Sequence, residues 1–231
     1  MPARGGRQRI PRPPTARPGS PPSWARLTPD ERRFTIDDVR AACASLPPPR
    51  RPLPPATARP AAVLLAMFEE GGDTRILLTK RPDTMPSHQG EIAFPGGKLD
   101  DETDASLRDA ALREAHEEIG LDPRAVDVVA ELDSIVTVMG RFRLTPFVGL
   151  LPGRPELHPD FTEVVSVFDV SIAELLDDAT FREERWDVPS TTGAGTNRNR
   201  PVHFFELPDE TVWGATAHIL AVFLEHVTAS R

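Results

Sequence analysis

Three glutamates in the middle of the chain, Glu114, Glu117 and Glu118, have a spacing that could support metal chemistry. On a helix, residues three and four apart project from one side, so the three carboxylates would share a face. Like charges at this spacing repel each other, whereas a solvated helix face usually mixes both signs. Carboxylate oxygens are the ligands that hard cations such as Mg²⁺ and Mn²⁺ prefer. The cluster alone leaves two interpretations open, a metal site and a solvated acidic face.

The glycines Gly96 and Gly97 precede this predicted helix, at a predicted strand-to-helix turn. Glycine lets the backbone approach a ligand closely, so one carbonyl of the turn can supply a further oxygen ligand. Arg113 stands one helical turn before Glu117 and can hold that carboxylate in place. A fixed loop, a helix and a carboxylate cluster together favour a metal platform for phosphate chemistry.

The segment from Gly97 to Leu121 carries a family resemblance. Residues 113–121 read REAHEEIGL, and together with Gly97 they resemble the Nudix box, G-x(5)-E-x(7)-R-E-U-x-E-E-x-G-U, where U is aliphatic. The second half matches at every defined position if Ala115 serves as a small U. The spacer before the helix is two residues longer than usual, and Ala105 stands in place of the early glutamate.

A second segment, residues 77–97, reads LLTKRPDTMPSHQGEIAFPGG. It resembles the signature of the coenzyme A pyrophosphatases within the Nudix family, roughly L-L-T-x-R-[SA]-x(3)-R-x(3)-G-x(3)-F-P-G-G. Pro82 replaces the usual Ser or Ala, and Pro86 replaces the usual second Arg. Three later segments also resemble this subfamily: 145–149, 163–168 and 213–220. The resemblance covers about residues 61–228.

The resemblance implies a metal-dependent pyrophosphohydrolase that cuts coenzyme A, or its thioesters and oxidised forms, to 3′,5′-ADP and a 4′-phosphopantetheine species. It implies that the ligands of the bound Mg²⁺ or Mn²⁺ are the side chains of Glu114, Glu117 and Glu118 and the Gly96 carbonyl. Glu117 is also a catalytic candidate. Glu163 is a second one, as an auxiliary ligand or general base.

The expected substrate contacts are Arg81, which would bind phosphate, and Gly97, while Arg113 is the expected structural support. His88 is expected either as a hydrogen-bonding loop residue or as a further substrate contact. ADP-ribose, NADH or an oxidised dNTP is the alternative substrate. A non-catalytic Nudix-like binding module is the alternative function.

Charge divides the 231-residue chain into a basic arm and an acidic body. Residues 1–60 hold 15 Pro, 12 Arg and 4 acids, whereas residues 61–231 hold 15 Lys and Arg against 31 Asp and Glu. We predict a disordered arm over residues 1–27, because it has little apolar surface to bury. An N-terminal helix at about 29–46 and a Pro-rich linker fill residues 28–60, before a Nudix hydrolase domain over 61–231.

Several classes of protein are disfavoured. The longest apolar run, residues 61–68, is too short to cross a bilayer, and the first 30 residues lack the apolar region of a secretory signal. One cysteine, Cys43, excludes an internal disulfide framework and favours a reducing cytoplasm. An acidic body disfavours nucleic acid, although the arm could contact RNA, so the expected partner is a small nucleotide substrate. The oligomeric state stays open, a homodimer included.

Hydrophobic periodicity predicts the helices and strands that would hold the candidate site residues in place. It predicts a hairpin from residues 61–68 and 75–80, a helix over 105–119 and a closing helix over 213–228, with a long polar loop at 187–200. Helices lie before and after a set of more numerous strands. This order favours an α/β fold, an α/β/α sandwich on a mixed sheet, which the resemblance identifies as the Nudix type.

Overall fold

The structure, a computed structural model, describes residues 4–8, 10–53, 55–83, 89–137, 140–189, 196–229 and 231. Its helices are α1 (Ile36–Ala44), α2 (Leu107–Ile119), α3 (Ile172–Leu175) and α4 (Gly214–Thr228). Its strands are β1 (Arg17–Pro18), β2 (Arg59–Glu70), β3 (Asp73–Lys80), β4 (Ile92–Ala93), β5 (Gly96–Lys98), β6 (Asp127–Glu131), β7 (Ile135–Val136), β8 (Phe142–Leu150), β9 (Ser166–Ser171), β10 (Phe181–Pro189), β11 (Thr196–Leu207) and β12 (Glu210–Trp213). Among the described residues, no helix is long and apolar enough to span a membrane.

Strand β2 runs through the main sheet and is buried along most of its length. It pairs in parallel with β8 and antiparallel with β3 and β5, so the sheet is mixed. Successive side chains of a strand point to opposite faces. Leu64 and Ala66 pack with α2, whereas Val63 and Leu65 pack in the core that includes α1 and α4. The α/β/α sandwich on a mixed sheet, as predicted from the sequence, is confirmed.

Helix α2 keeps its apolar side on the sheet. It begins after Ser106, whose hydroxyl accepts a hydrogen bond from the Asp109 N–H at 3.2 Å. It ends at Gly120, which has a φ of 68° and so adopts the left-handed conformation that glycine tolerates best. Ala111 and Ala115 are buried against the sheet.

The first helix is shorter than predicted. Glu31 Oε2 accepts from the Thr28 N–H at 2.8 Å, which is one half of a capping box, but only a 3₁₀ turn follows it. Phe34 lies in an extended segment because its side chain enters the core and its carbonyl accepts from the Thr74 N–H at 2.7 Å. A second cap at Thr35 then starts α1.

A second sheet contains β1, β10, β11 and β12, all antiparallel to their neighbours. Strands β10 and β11 extend into the segment predicted as a polar loop over residues 187–200. Charged residues lie on both faces of β10, so the apolar alternation that marks a strand is weak there. Residues 193–195, the glycine-rich centre of the predicted loop, lie outside the described residues.

The described part of the predicted arm has defined contacts with the body, and the disorder predicted for residues 1–27 stays a prediction. Trp24 and Leu27 are 1% and 4% exposed in the main core. The Trp24 ring meets the Phe181 ring edge-on, with centroids 4.9 Å apart. Strand β1 adds to the edge of β10. One large aromatic side chain buries as much surface as several small residues. The average composition of the arm gives little weight to such a single residue.

Candidate active site

Glu118 is a buried carboxylate at the centre of the candidate site, with 6% of its surface exposed. Its Oε2 accepts a hydrogen bond from the Gly96 N–H at 3.2 Å. Burial raises the pKa of Glu118 to about 7; the charges of Glu114 and Glu163 also raise it, while the Gly96 hydrogen bond and the Arg81 charge oppose them. These residues therefore lie within electrostatic reach of one another.

Glu114 lies one helical turn before Glu118 and packs against Gly97. A Cβ atom on Gly97 would overlap the Glu114 carboxyl group, so any other residue there would displace that group. Burial raises the pKa of Glu114, Arg113 opposes the rise, and the charges of Glu117 and Glu163 add to it. The glycine thus leaves room for a carboxylate, and its predicted contact with substrate stays a prediction.

Arg113 ties the cluster to the loop before the helix. Its Nη1 donates to Glu117 Oε2 at 2.7 Å, the contact that the helical spacing predicted. Its Nη2 lies 3.0 Å from Glu114 Oε1 and donates to the Lys98 carbonyl at 3.2 Å. One guanidinium therefore holds two of the three helix carboxylates and the end of β5.

Asp104 is a supporting residue that sequence analysis missed. Its two carboxylate oxygens accept from Nε and Nη2 of Arg113 at 2.8 and 2.9 Å, and its side chain is 2% exposed. The prediction placed the early acid of the box at Ala105, where no acid stands. The lengthened spacer shifts the acid by one residue, and an acid two residues before the helix cap was the available signal.

Glu163 reaches the site from the loop over residues 158–165. The Asp160 N–H donates to the Glu118 carbonyl at 3.0 Å, and the Val165 N–H donates to the Lys80 carbonyl at 2.8 Å. The loop is therefore attached to the end of α2 and to the end of β3. The Glu163 side chain is exposed, yet its charge acts on the carboxylates of α2.

Two of the predicted substrate contacts follow β3. The Arg81 N–H donates to the Glu91 carbonyl at 3.0 Å, and the Arg81 charge lowers the pKa of Glu118, which places the two side chains near each other. His88 lies within residues 84–88, outside the described residues, so its role stays a prediction.

The described carboxylates are suitable ligands for a hard divalent cation, because every donor atom that they offer is an oxygen. The charges of Glu114 and Glu163 raise the pKa of Glu118, and those of Glu117 and Glu163 raise the pKa of Glu114, a repulsion that a cation would relieve. In the described part of the chain, no three Asp, Glu, His or Cys side chains already converge as a metal site, and Arg113 holds two of the carboxylates. Gly96 contacts Glu118 through its N–H, and the role of the Gly96 carbonyl as a metal ligand stays a prediction.

A cavity of about 510 Å³ lies on the α4 side of the sheet. Val63 of β2 pairs with Gly96 on one side and with Pro146, in the cavity wall, on the other. Neighbouring strands lie about 4.8 Å apart, so Gly96 and Pro146 are separated by about 10 Å. The wall combines apolar side chains with the charged side chains of Arg50, Arg51 and Asp133. It also includes His218, whose pKa burial lowers to about 4.

Comparison with known proteins places this geometry in a family. The model of the NUDIX domain matches residues 58–189. Nudix hydrolase 22, chloroplastic, of Arabidopsis thaliana is 40% identical over 69% of this chain and 52% of its own length. The uncharacterized Nudix hydrolase NudL of Cronobacter sakazakii is 47% identical over 51% of this chain and 60% of its own length. The chain thus spans between half and two thirds of these two relatives.

Another relative is matched over nearly its whole length. The uncharacterized Nudix hydrolase NudL of Photorhabdus laumondii is 35% identical over 83% of this chain and 96% of its own length. The crystal structure of RenU, a Nudix hydrolase from M. smegmatis, has a TM-score of 0.42 and 24% identity over 49% of this chain and 70% of that chain. From the domain match and the Photorhabdus relative, the chain belongs to the Nudix hydrolase family.

Proposed function

We propose that this chain is a divalent-metal-dependent pyrophosphohydrolase that cleaves the diphosphate of coenzyme A or its derivatives to 3′,5′-ADP and 4′-phosphopantetheine. The observation that carries the chemistry is the buried Glu118 carboxylate, which has two other carboxylates acting on it. The substrate assignment rests on residues 77–97, which resemble the coenzyme A pyrophosphatase signature and end in β5, where the Gly96 N–H meets Glu118.

The side chains of Glu114, Glu117 and Glu118, with the Gly96 carbonyl, would hold the metal as Mg²⁺ or Mn²⁺. When bound, such an ion neutralises the diphosphate, activates a water and stabilises the charge that develops at phosphorus. Buried carboxylates that repel each other favour this assignment, because the site carries more negative charge than its own cations balance.

Other residues of the chain would orient the substrate and move the proton. Arg81 would bind a phosphate oxygen, since its guanidinium lies near Glu118 and can form two hydrogen bonds in one plane. Glu163 would serve as auxiliary ligand or general base, because it is exposed to water beside the buried carboxylates. Arg113 and Asp104 would keep the carboxylates of α2 in place.

The cavity on the α4 side would take a non-reacting part of the substrate. Pro146 in its wall lies about 10 Å from Gly96, and the wall combines apolar side chains and a neutral His218 with the charged side chains of Arg50, Arg51 and Asp133. The cytoplasmic location that the single cysteine predicts, the absence of a nucleic-acid partner and the homodimer stay predictions.

The direct test is incubation with coenzyme A and either Mg²⁺ or Mn²⁺, with the products identified by mass. We expect 3′,5′-ADP and 4′-phosphopantetheine, and a lower kcat/KM for ADP-ribose, NADH and an oxidised dGTP. A clearly higher value for one of those would replace coenzyme A as the substrate and leave the hydrolase proposal intact. Failure to hydrolyse any of them would favour a binding module.

Arg81 allows a second test of the substrate assignment. Arg81→Lys keeps the charge but loses the planar fork, so kcat/KM for coenzyme A should fall, and Arg81→Ala should lower it further. A charged hydrogen bond is worth about 1.5–3 kcal/mol, so the loss in Arg81→Ala should be about tenfold to a hundredfold. Unchanged kinetics in both variants would remove Arg81 from the site.

A further inference from the structure

Lys80, the last residue of β3, lies where three segments of the candidate site meet. Arg81 follows it directly. Lys80 pairs with Ile92 of β4, the strand that precedes Gly96 of β5, and with Ser166 of β9, the strand that follows the loop of Glu163. Movement of Lys80 would therefore displace all three segments together.

The ammonium of Lys80 is held by a residue of the second sheet. Its Nζ lies 2.5 Å from Oε1 of Glu210, the first residue of β12, and the two side chains are 28% and 19% exposed. The other oxygen, Oε2, accepts from Nε2 of Gln8 at 2.8 Å. Glu210 thus connects the end of β3 to the N-terminal segment, residues 4–8.

The N-terminal segment is itself fixed to the β11–β12 hairpin. The Oε1 of Gln8 accepts from the Thr211 N–H at 3.3 Å, and its Nε2 donates to the Thr211 carbonyl at 3.2 Å. The Gly6 N–H donates to Thr211 Oγ1 at 2.8 Å. Both the segment and the hairpin lie outside residues 58–189, the part that the domain model matches.

We propose that Glu210 is a positioning residue for the candidate active site and that Gln8 holds Glu210 in place. A carboxylate bonded at both oxygens loses side-chain freedom, so it can fix the strand end that carries Arg81. A displacement of about 1 Å in a substrate-positioning group can lower activity up to about a hundredfold. The kinetic part of this inference rests on the proposed function.

Two measurements on the full chain test the inference, with Glu210→Ala and Gln8→Ala as variants. Hydrogen exchange of residues 160–166 reports whether the Val165 amide stays bonded to Lys80, and kcat/KM for coenzyme A reports positioning. Arg12→Ala is the matched control, because it removes a contact between the arm and Glu184 and leaves those of Gln8. Lys80→Glu combined with Glu210→Lys restores the ion pair in reverse.

We expect Glu210→Ala to speed exchange in residues 160–166 and to lower kcat/KM about tenfold. Gln8→Ala should produce the same two changes to a smaller extent, and Arg12→Ala should produce neither. The reversed ion pair should partly restore both the slow exchange and kcat/KM. Unchanged exchange in Glu210→Ala, or an equal rise in every peptide of the protein, would overturn the inference. If the wild type leaves coenzyme A intact, exchange alone decides, so failure of the proposed function remains distinguishable.

Discussion

Two buried glutamates, Glu118 in the candidate site and Glu184 in the second sheet, have pKa values shifted in opposite directions. Burial raises the pKa of Glu118 to about 7, and neighbouring acids add to the rise. Burial also acts on Glu184, but hydrogen bonds from Arg12 and Trp186 bring its pKa below the ordinary value. The second sheet balances its acids with its own cations, whereas the candidate site keeps negative charge available for a cation from solution.

The two regions therefore give the metal-free fold opposite pH dependence. The raised pKa of Glu118 means that its contribution is favourable below the ordinary value of 4.5 and is lost as the pH rises through about 7. The lowered pKa of Glu184 means that its contribution is present above 4.5 and is lost as the pH falls through its folded-state pKa. A carboxylate that weakens the fold at neutral pH points to a function other than stability.

The largest expected effect is on turnover in Glu118→Gln. The change keeps the size of the side chain but removes a metal ligand worth several kcal/mol, so kcat should fall at least about a hundredfold. The melting temperature of the metal-free protein at pH 8 should stay the same or rise. Glu184→Gln is the matched control and should keep its turnover. Near-normal kcat in Glu118→Gln at saturating Mg²⁺ would show that the two glutamates do not differ in role.

The next largest effect is on stability and concerns Trp24, whose ring packs against Phe181 of β10 in the second sheet. Trp24→Ala should lower the free energy of unfolding by about 3–5 kcal/mol, because a fully buried aromatic side chain is lost. Trp24→Phe should cost much less, since it keeps an aromatic ring and the indole N–H has no hydrogen-bond partner in the described structure. Urea unfolding measures both. A Trp24→Ala variant as stable as the wild type would contradict the burial of this side chain in the core.

A smaller effect is expected for Asp104, which supports the candidate site without being a proposed ligand. Asp104→Asn removes a buried charge that accepts from Nε and Nη2 of Arg113, so the fold should lose about 1.5–3 kcal/mol. The carboxylates that Arg113 holds should then move, and kcat should fall about tenfold. Asp101→Asn, at an exposed position of the same loop, serves as control. If Asp104→Asn has the same free energy of unfolding and the same kcat as Asp101→Asn, Asp104 does not support the site.

The smallest effect is expected for the ion pair between Arg12 and Glu184. The Arg12 side chain is 57% exposed, so Arg12→Ala should cost at most about 1 kcal/mol, and high salt should shrink that difference. Turnover should stay at the wild-type value. A loss of activity would mean that the second sheet contributes to the site through this contact as well.

Much of the sandwich could be predicted because its elements carry strong patterns. The hairpin of β2 and β3 follows from a continuous apolar run and a glycine turn, and α2 follows from a periodic apolar face. Strand β10 could not be found in this way, since residues 181–185 read FREER and present charges on both faces. Arg182 of this strand pairs with Glu206 of β11, a neighbour that only the folded chain brings beside it.

The candidate site was predictable where it is local in sequence. Three glutamates on one helix and a glycine turn form a visible pattern, whereas Asp104 was missed because an irregular spacer shifted it by one residue. The contacts of Lys80 with Glu210 and of Glu210 with Gln8 join positions more than 100 residues apart, 130 and 202 respectively. No spacing rule relates such positions, so they could be found only in the structure.

Calorimetric titration of the metal-free protein with Mn²⁺ tests the central claim most directly, with Glu118→Gln and Glu184→Gln beside the wild type. We predict that the wild type binds Mn²⁺ more tightly at pH 8 than at pH 6, because a proton competes for a carboxylate with a pKa of about 7. We expect affinity at least about tenfold weaker in Glu118→Gln and unchanged in Glu184→Gln. Equal affinity for Mn²⁺ in all three proteins would show that Glu118 is not a metal ligand.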